Sequence, residues 1–150
     1  MLEVNSPIGN IFLDEEFNEL KSGNFEKLKI SRMELEKRIL RRKTDRGTDV
    51  GLNLEPGIKL RHGDVIKNGD MKIVVEQLPE KTLTVKFMEN DKNLFLLVGH
   101  IIGNRHRPIS IKNETISFPI HDDSEMELFE RLFHQIIDKI DLSIDEQRFI

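Results

Sequence analysis

Five histidines, His62, His100, His106, His121 and His134, are the side chains of this 150-residue sequence best suited to hold a metal ion or move a proton. No cysteine accompanies them, which excludes disulfides, thiolate metal sites and thiol nucleophiles. A borderline metal must then be held by imidazole, with carboxylate, carbonyl or water completing the shell. His121 is followed by Asp122 and Asp123. That trio can supply a secondary ligand, or the acids can simply cap and neutralise a helix N-terminus. His100 and His106 stand six residues apart across a helix end, so they do not form the i, i+4 pair of a zinc hydrolase. His100 falls on the polar face of that helix, His134 suits a helix C-terminal dipole, and His62 sits in a turn with no assigned role. No nucleophile elbow and no glycine-rich phosphate loop is present, so the chain is expected not to be an enzyme.

The elements that must carry these residues follow from hydrophobic spacing. Residues 27–30, 38–44 and 50–54 alternate as strands, and Ser31 with Glu34 has the spacing of a capping box that starts one helical turn. Turns are expected at Asp45-Arg46-Gly47 and Pro56-Gly57. Asn68-Gly69 is a hairpin signal between Val65-Ile66 and a return strand with Met71, Ile73 and Val75. After Pro79 the pattern changes. Leu83, Val85 and Phe87 alternate, and residues 90–102 carry a helical stripe of Leu94, Phe95, Leu97, Val98, Ile101 and Ile102. Gly103-Asn104 is expected to end that helix through a left-handed glycine. Ile109 and Ile111, then Ile116 and Phe118, form a hairpin about Lys112-Asn113-Glu114. A second helix starts near residues 122–124, with Ser124 and Glu127 as a second capping box. It buries Met126, Phe129, Phe133, Ile136, Ile137 and Ile140, and Leu142 and Ile144 can add a last strand. The expected class is α+β: an N-terminal all-β domain over residues 1–77, then a ferredoxin-like βαββαβ domain over 78–150.

Composition narrows the function classes. The chain is 37% apolar and 33% charged with a net charge of −4, which opposes a general nucleic-acid binder. RNA-recognition domains share the βαββαβ order but need exposed sheet aromatics; residues 107–111 carry none, and 116–118 only Phe118. No apolar run approaches a membrane span, and residues 1–20 do not read as a signal peptide, so the expected location is the cytoplasm. Six basic residues, Lys37, Arg38, Arg41, Arg42, Lys43 and Arg46, fall within ten positions. They suit a solvated strand face or a docking patch for an acidic partner.

Three segments resemble the urease accessory protein E family, in matching order. Residues 37–51 are similar to its basic strand, turn and second strand. Leu60-Arg61-His62-Gly63-Asp64-Val65-Ile66 looks like its L-R-x-G-D-V-L strand. Gly103-Asn104-Arg105-His106 matches its G-N-R-H segment letter for letter. The resemblance implies an N-terminal β domain, a ferredoxin-like metal-binding domain and a homodimer that brings Ni2+ to urease, with urease apoprotein and its accessory complex, including a GTPase, as partners. It also implies that His106 is the central nickel ligand. Two copies of His106 can share one ion across a dimer axis, a labile arrangement suited to a donor, and Zn2+ or Cu2+ can substitute. The chain departs from some members by ending without a histidine-rich tail, by carrying His121-Asp122-Asp123 in place of a His-x-His pair, and by having Ile101 where another histidine can stand. High-capacity nickel storage is therefore not expected. The competing expectation is a protein-interaction module that binds an extended peptide at a sheet edge, with metal binding incidental.

Overall fold

A computed structural model of the chain describes residues 1–21 and 23–150. It divides into two compact units, Met1–Leu78 and Pro79–Ile150.

The first unit is built on two sheets. Strands β1 (Leu2–Val4), β2 (Gly9–Asn10), β3 (Glu26–Ile30), β4 (Ile39–Lys43), β5 (Asp49–Asn53), β6 (Asp64–Asn68) and β7 (Met71–Gln77) form it. One sheet has the order β1-β5-β4 and the other β2-β6-β7-β3. Leu40, Val50 and Leu52 of the first sheet meet Leu28, Ile73 and Val75 of the second in one core. A second, smaller core covers the opposite face of β6 and β7, where Val65 and Val74 pack on Ile11, Phe17 and Leu20. Strand β7 is therefore buried on both faces through Ile73, Val74 and Val75, whereas its alternation with Met71 had pointed to one buried face. Met71 is itself exposed. The extra cover is a 3₁₀ helix, Glu15–Lys21, which the strand-based reading did not anticipate. Phe17 and Leu20 lie three residues apart, the repeat that stacks side chains on one edge of a three-residue turn.

Ser31 and Glu34 form the expected reciprocal capping box at α1 (Arg32–Leu35). The Leu60–Ile66 motif is held by a buried polar network. Asn10 Nδ2 donates to Asp64 Oδ1 at 2.9 Å and to the His62 carbonyl at 3.1 Å. Asp64 Oδ2 accepts the Arg61 N–H at 2.7 Å, and His62 Nδ1 accepts the Gln77 N–H at 3.1 Å. Gly63 has φ +87, and a Cβ there would come within 2.5 Å of the Phe12 ring. The β6–β7 hairpin pairs Asn68 with Met71, so its two-residue loop is Gly69-Asp70 rather than Asn68-Gly69. Gly69, at φ +59, occupies the first loop position, where a II′ turn calls for glycine.

The second unit runs β8 (Glu80–Phe87), α2 (Lys92–Asn104), β9 (Ser110–Lys112), β10 (Thr115–Pro119), α3 (Glu125–Leu132) and β11 (Ile140–Gln147). Its single sheet has the order β11-β8-β10-β9, and every neighbouring pair is antiparallel. The central strand β8 sets Leu83 opposite Phe118 on one side and Ile144 on the other. Leu94, Val98 and Ile102, four residues apart along α2, pack on this sheet with Phe129 and Phe133. The Phe118 and Phe129 rings lie 4.6 Å apart.

Two helix boundaries differ from expectation. Helix α2 runs through Gly103 and Asn104, and the left-handed residue that follows is His106, at φ +54. No glycine is needed because the backbone already turns two residues later, with the His106 N–H bonded to the Gly103 carbonyl at 2.9 Å. Ser124 precedes α3 in helical conformation and makes no side-chain cap. Asp122 Oδ1 accepts the Ser124 N–H instead, at 2.9 Å, so the Ser124–Glu127 box does not form. After Leu132 the chain tightens into a 3₁₀ helix, His134–Lys139, which leaves Ile137 more exposed than Ile136.

Glu34 carries a pH signature. Burial raises its pKa, but the Ser31 backbone and hydroxyl and the Arg42 guanidinium outweigh that and hold it below the ordinary 4.5. A depressed carboxyl contributes stability above its unfolded pKa and loses it as pH falls through the folded one. Ser31→Ala is expected to cost about 1 kcal/mol at pH 7. Urea unfolding followed by circular dichroism should show that difference shrinking as pH falls below 4.5.

Candidate functional site

The two histidines singled out by the sequence flank one half-buried ion pair. His106 is exposed in the turn after α2. The next residue, Arg107, turns inward, and its guanidinium lies 5.9 Å from the centre of the Phe129 ring. Arg107 Nη2 pairs with Glu125 Oε1, Nη1 reaches Glu125 Oε2 at 3.3 Å, and Nη1 also donates to the Pro119 carbonyl at 2.9 Å. The Arg107 and Glu125 side chains are 18% and 14% exposed. Glu125 Oε2 further accepts the backbone N–H of His121 at 2.5 Å.

A carboxylate so placed is held below the usual glutamate range. The Arg107 hydrogen bond is the main cause, burial opposes it, and the His121 N–H adds to the depression. The His121 imidazole is exposed in the loop between β10 and α3. Residue type alone does not mark Arg107 and Glu125 as functional. Their signal was positional: an arginine directly after His106 and a glutamate four residues after His121.

The other histidines have separate surroundings. His100 Nε2 lies 3.2 Å from Asn104 Nδ2, one turn along α2. The His62 ring lies 5.4 Å from that of Phe12. His134 lines a shallow surface groove with Glu127, Glu130, Arg131 and Ile137. Among the described residues, no three His, Asp or Glu side chains are grouped closely enough to hold one metal ion. Within a single chain, His106 and His121 are therefore not part of a complete coordination set.

An apolar groove of about 520 Å³ runs between α2 and the β9–β10 hairpin, lined by Phe87, Phe95, Leu96, Ile109 and Ile111. Leu96 and Ile111 are 73% and 67% exposed. Ile109 and Ile111 alternate as expected, yet both face outward. Gly99 and Gly103 lie on the same side of α2 as Leu96 and His100, and a Cβ added to either glycine meets nothing within 4 Å. This smooth face leads along the helix toward His106.

The basic segment of the first unit is largely satisfied internally. Arg41 makes a two-point contact with Asp49, at 3.0 and 2.5 Å. Arg42 pairs with Glu34, Arg38 donates to the Leu54 carbonyl at 2.9 Å, and Arg46 donates to the Asn24 carbonyl. That arrangement matches a solvated strand face.

Comparison with known proteins gives a consistent picture. Residues 5–77 match the family model described as UreE urease accessory protein, N-terminal domain. The urease accessory protein UreE of Lysinibacillus sphaericus is 34% identical over 110 residues, covering 73% of this chain and 71% of that protein. The UreE of Staphylococcus epidermidis is 32% identical over 106 residues, covering 71% and 67%. Urease accessory protein UreE 1 of Pseudomonas syringae pv. tomato is 27% identical over 117 residues, covering 78% and 79%.

The left-handed backbone at position 106 separates structural from chemical effects. Asparagine tolerates that conformation and β-branched residues do not. His106→Asn should unfold within about 0.5 kcal/mol of the parent, whereas His106→Val should lose about 1–2 kcal/mol, both read from urea unfolding curves.

Proposed function

The chain belongs to the UreE urease accessory protein family, and on that premise we propose that it is a nickel metallochaperone whose two-fold dimer holds Ni2+ between two copies of His106 and releases it during assembly of the urease metal centre. It is an accessory protein of urease maturation and not an enzyme. The observation that carries the nickel reading is the placement of His106, an exposed imidazole in a left-handed turn at the end of a helix face that carries the open Gly99 and Gly103 and borders an apolar groove.

A single chain offers no three-ligand cluster among its described residues. A second copy laid along α2 supplies the missing imidazole, because any residue near a two-fold axis meets its own equivalent. The covered groove would bury Leu96 and Ile111, and removing their apolar surface from water favours the dimer. Imidazole suits nickel, and so few protein ligands leave the ion exchangeable; Zn2+ and Cu2+ are expected to compete. His121 is the proposed secondary ligand.

We read the second unit as ferredoxin-like, since its βαββαβ succession and β11-β8-β10-β9 order follow that pattern. In this proposal residues 78–150 bind metal and dimerise, and residues 1–77 contact partners: urease apoprotein and its accessory complex, including a GTPase. Among the described residues, no helix is long and apolar enough to cross a membrane, and the proposed site of action is the cytoplasm. The competing reading, an interaction module with incidental metal binding, draws on β4, whose backbone lies at a sheet edge where an extended peptide can add as a further strand.

Nickel titration calorimetry at known dimer concentration decides between them. One site per dimer is expected, weakened at least about tenfold in His106→Asn. Because only neutral imidazole ligates, affinity should fall as pH drops from 7 toward 5. Unchanged nickel binding in His106→Asn would move the weight to the interaction module.

A further inference from the structure

We propose that the Arg107–Glu125 ion pair is the positioning device of the metal site, holding the His121 loop in a fixed relation to His106 so that both imidazoles serve one ion. The inference rests on the nickel-donor reading and adds the residues that set its geometry.

Arg107 is covalently next to His106, so the path of the backbone at Arg107 fixes where the His106 turn ends. Its guanidinium grips the His121 loop from both sides. It donates to the Pro119 carbonyl at 2.9 Å on the near side and pairs with Glu125 on the far side. Glu125 then returns to the loop through the His121 N–H, at 2.5 Å. Two histidine-bearing segments that are distant in sequence are thus tied through one carboxylate and one guanidinium.

The pair is suited to positioning. Both side chains are less than one-fifth exposed, so water competes weakly for their hydrogen bonds. Arginine presents its donors in a rigid planar fork, which fixes orientation as well as distance. The guanidinium lies near the Phe129 ring, a fully buried member of the core, so the pair is referenced to the rigid part of the unit. Beside it, Asp122 takes the Ser124 N–H while Glu125 turns back to the His121 N–H, so the carboxylate joins the start of the helix to the Arg107 guanidinium.

The arrangement predicts a specific non-additivity. Nickel affinity is measured by calorimetry for the full chain and for Glu125→Gln, His121→Ala and the double variant. Glu125→Gln should weaken nickel binding about tenfold when His121 is present and by less than about twofold when His121 is already alanine. Arg107→Lys, which keeps the charge but loses the fork, is the milder variant and should show a smaller loss with the same dependence on His121. In proton NMR of the nickel-loaded protein, Glu125→Gln should lose the shifted imidazole signals that His121→Ala loses and keep those that His106→Asn removes.

Equal losses in both backgrounds, or no loss on Glu125→Gln, would overturn the positioning role. Failure of the nickel reading itself looks different: His106→Asn would then bind as the parent does, whatever happens at Glu125.

Discussion

The ring of Phe129 is the point from which the second unit's working surface hangs. It is fully buried, packs 4.6 Å from Phe118 on the sheet and 5.9 Å from Phe133 after the helix, and carries the Arg107 guanidinium near its remaining surface. Sheet, helix and ion pair therefore share one contact. A core close-packed around such a ring admits few alternative arrangements, and the two exposed histidine turns inherit that definition although neither is itself packed in the core. Exposure of a proposed ligand and rigidity of its mounting are compatible because the rigidity lies one residue behind the imidazole.

The first unit solves a different problem. The seven strands among its described residues form two sheets that share a core, and the sheet carrying β6 and β7 is covered on its other face by a 3₁₀ helix. The polar residues of the Leu60–Ile66 segment satisfy buried backbone and side-chain groups there, with Asn10 and Asp64 as the main pair. The clustered arginines of β4 and its flanks are mostly engaged by Asp49, Glu34 and main-chain carbonyls. A run of like charge in a sequence thus becomes a set of separate local contacts once alternate side chains are sent to opposite faces of a strand.

Local signals were readable and distant ones were not. The Ser31–Glu34 box and the alternation of Val50, Leu52 and Leu54 need only neighbours in sequence, and each appears as expected; of the α2 stripe, Leu94, Val98 and Ile102 are buried while Leu97 is exposed. The Ser124–Glu127 spacing was equally good on paper and fails because Asp122 reaches the Ser124 N–H first. The glycine at 103 looked like a helix stop, but a helix ends where its last carbonyls find donors, and here His106 supplies one of them. The 3₁₀ cover over β7 depends on Phe17 meeting Val65 and Val74 across the sheet, which periodicity within one segment cannot reveal. For the candidate site, the histidines were visible by residue type, whereas Arg107 and Glu125 gain meaning only when the turn after α2 is brought beside the start of α3.

The open glycines of α2 have a practical consequence. Nothing lies within 4 Å of a side chain begun at Gly103, and the chain contains no cysteine of its own. A thiol introduced there would be the molecule's sole site for maleimide chemistry, placed one turn before the His106 imidazole on a helix that any residue better than glycine favours. A spin label or fluorophore attached at that point turns the smooth helix face into a molecular ruler, able to report both the approach of a second copy and the arrival of a paramagnetic ion.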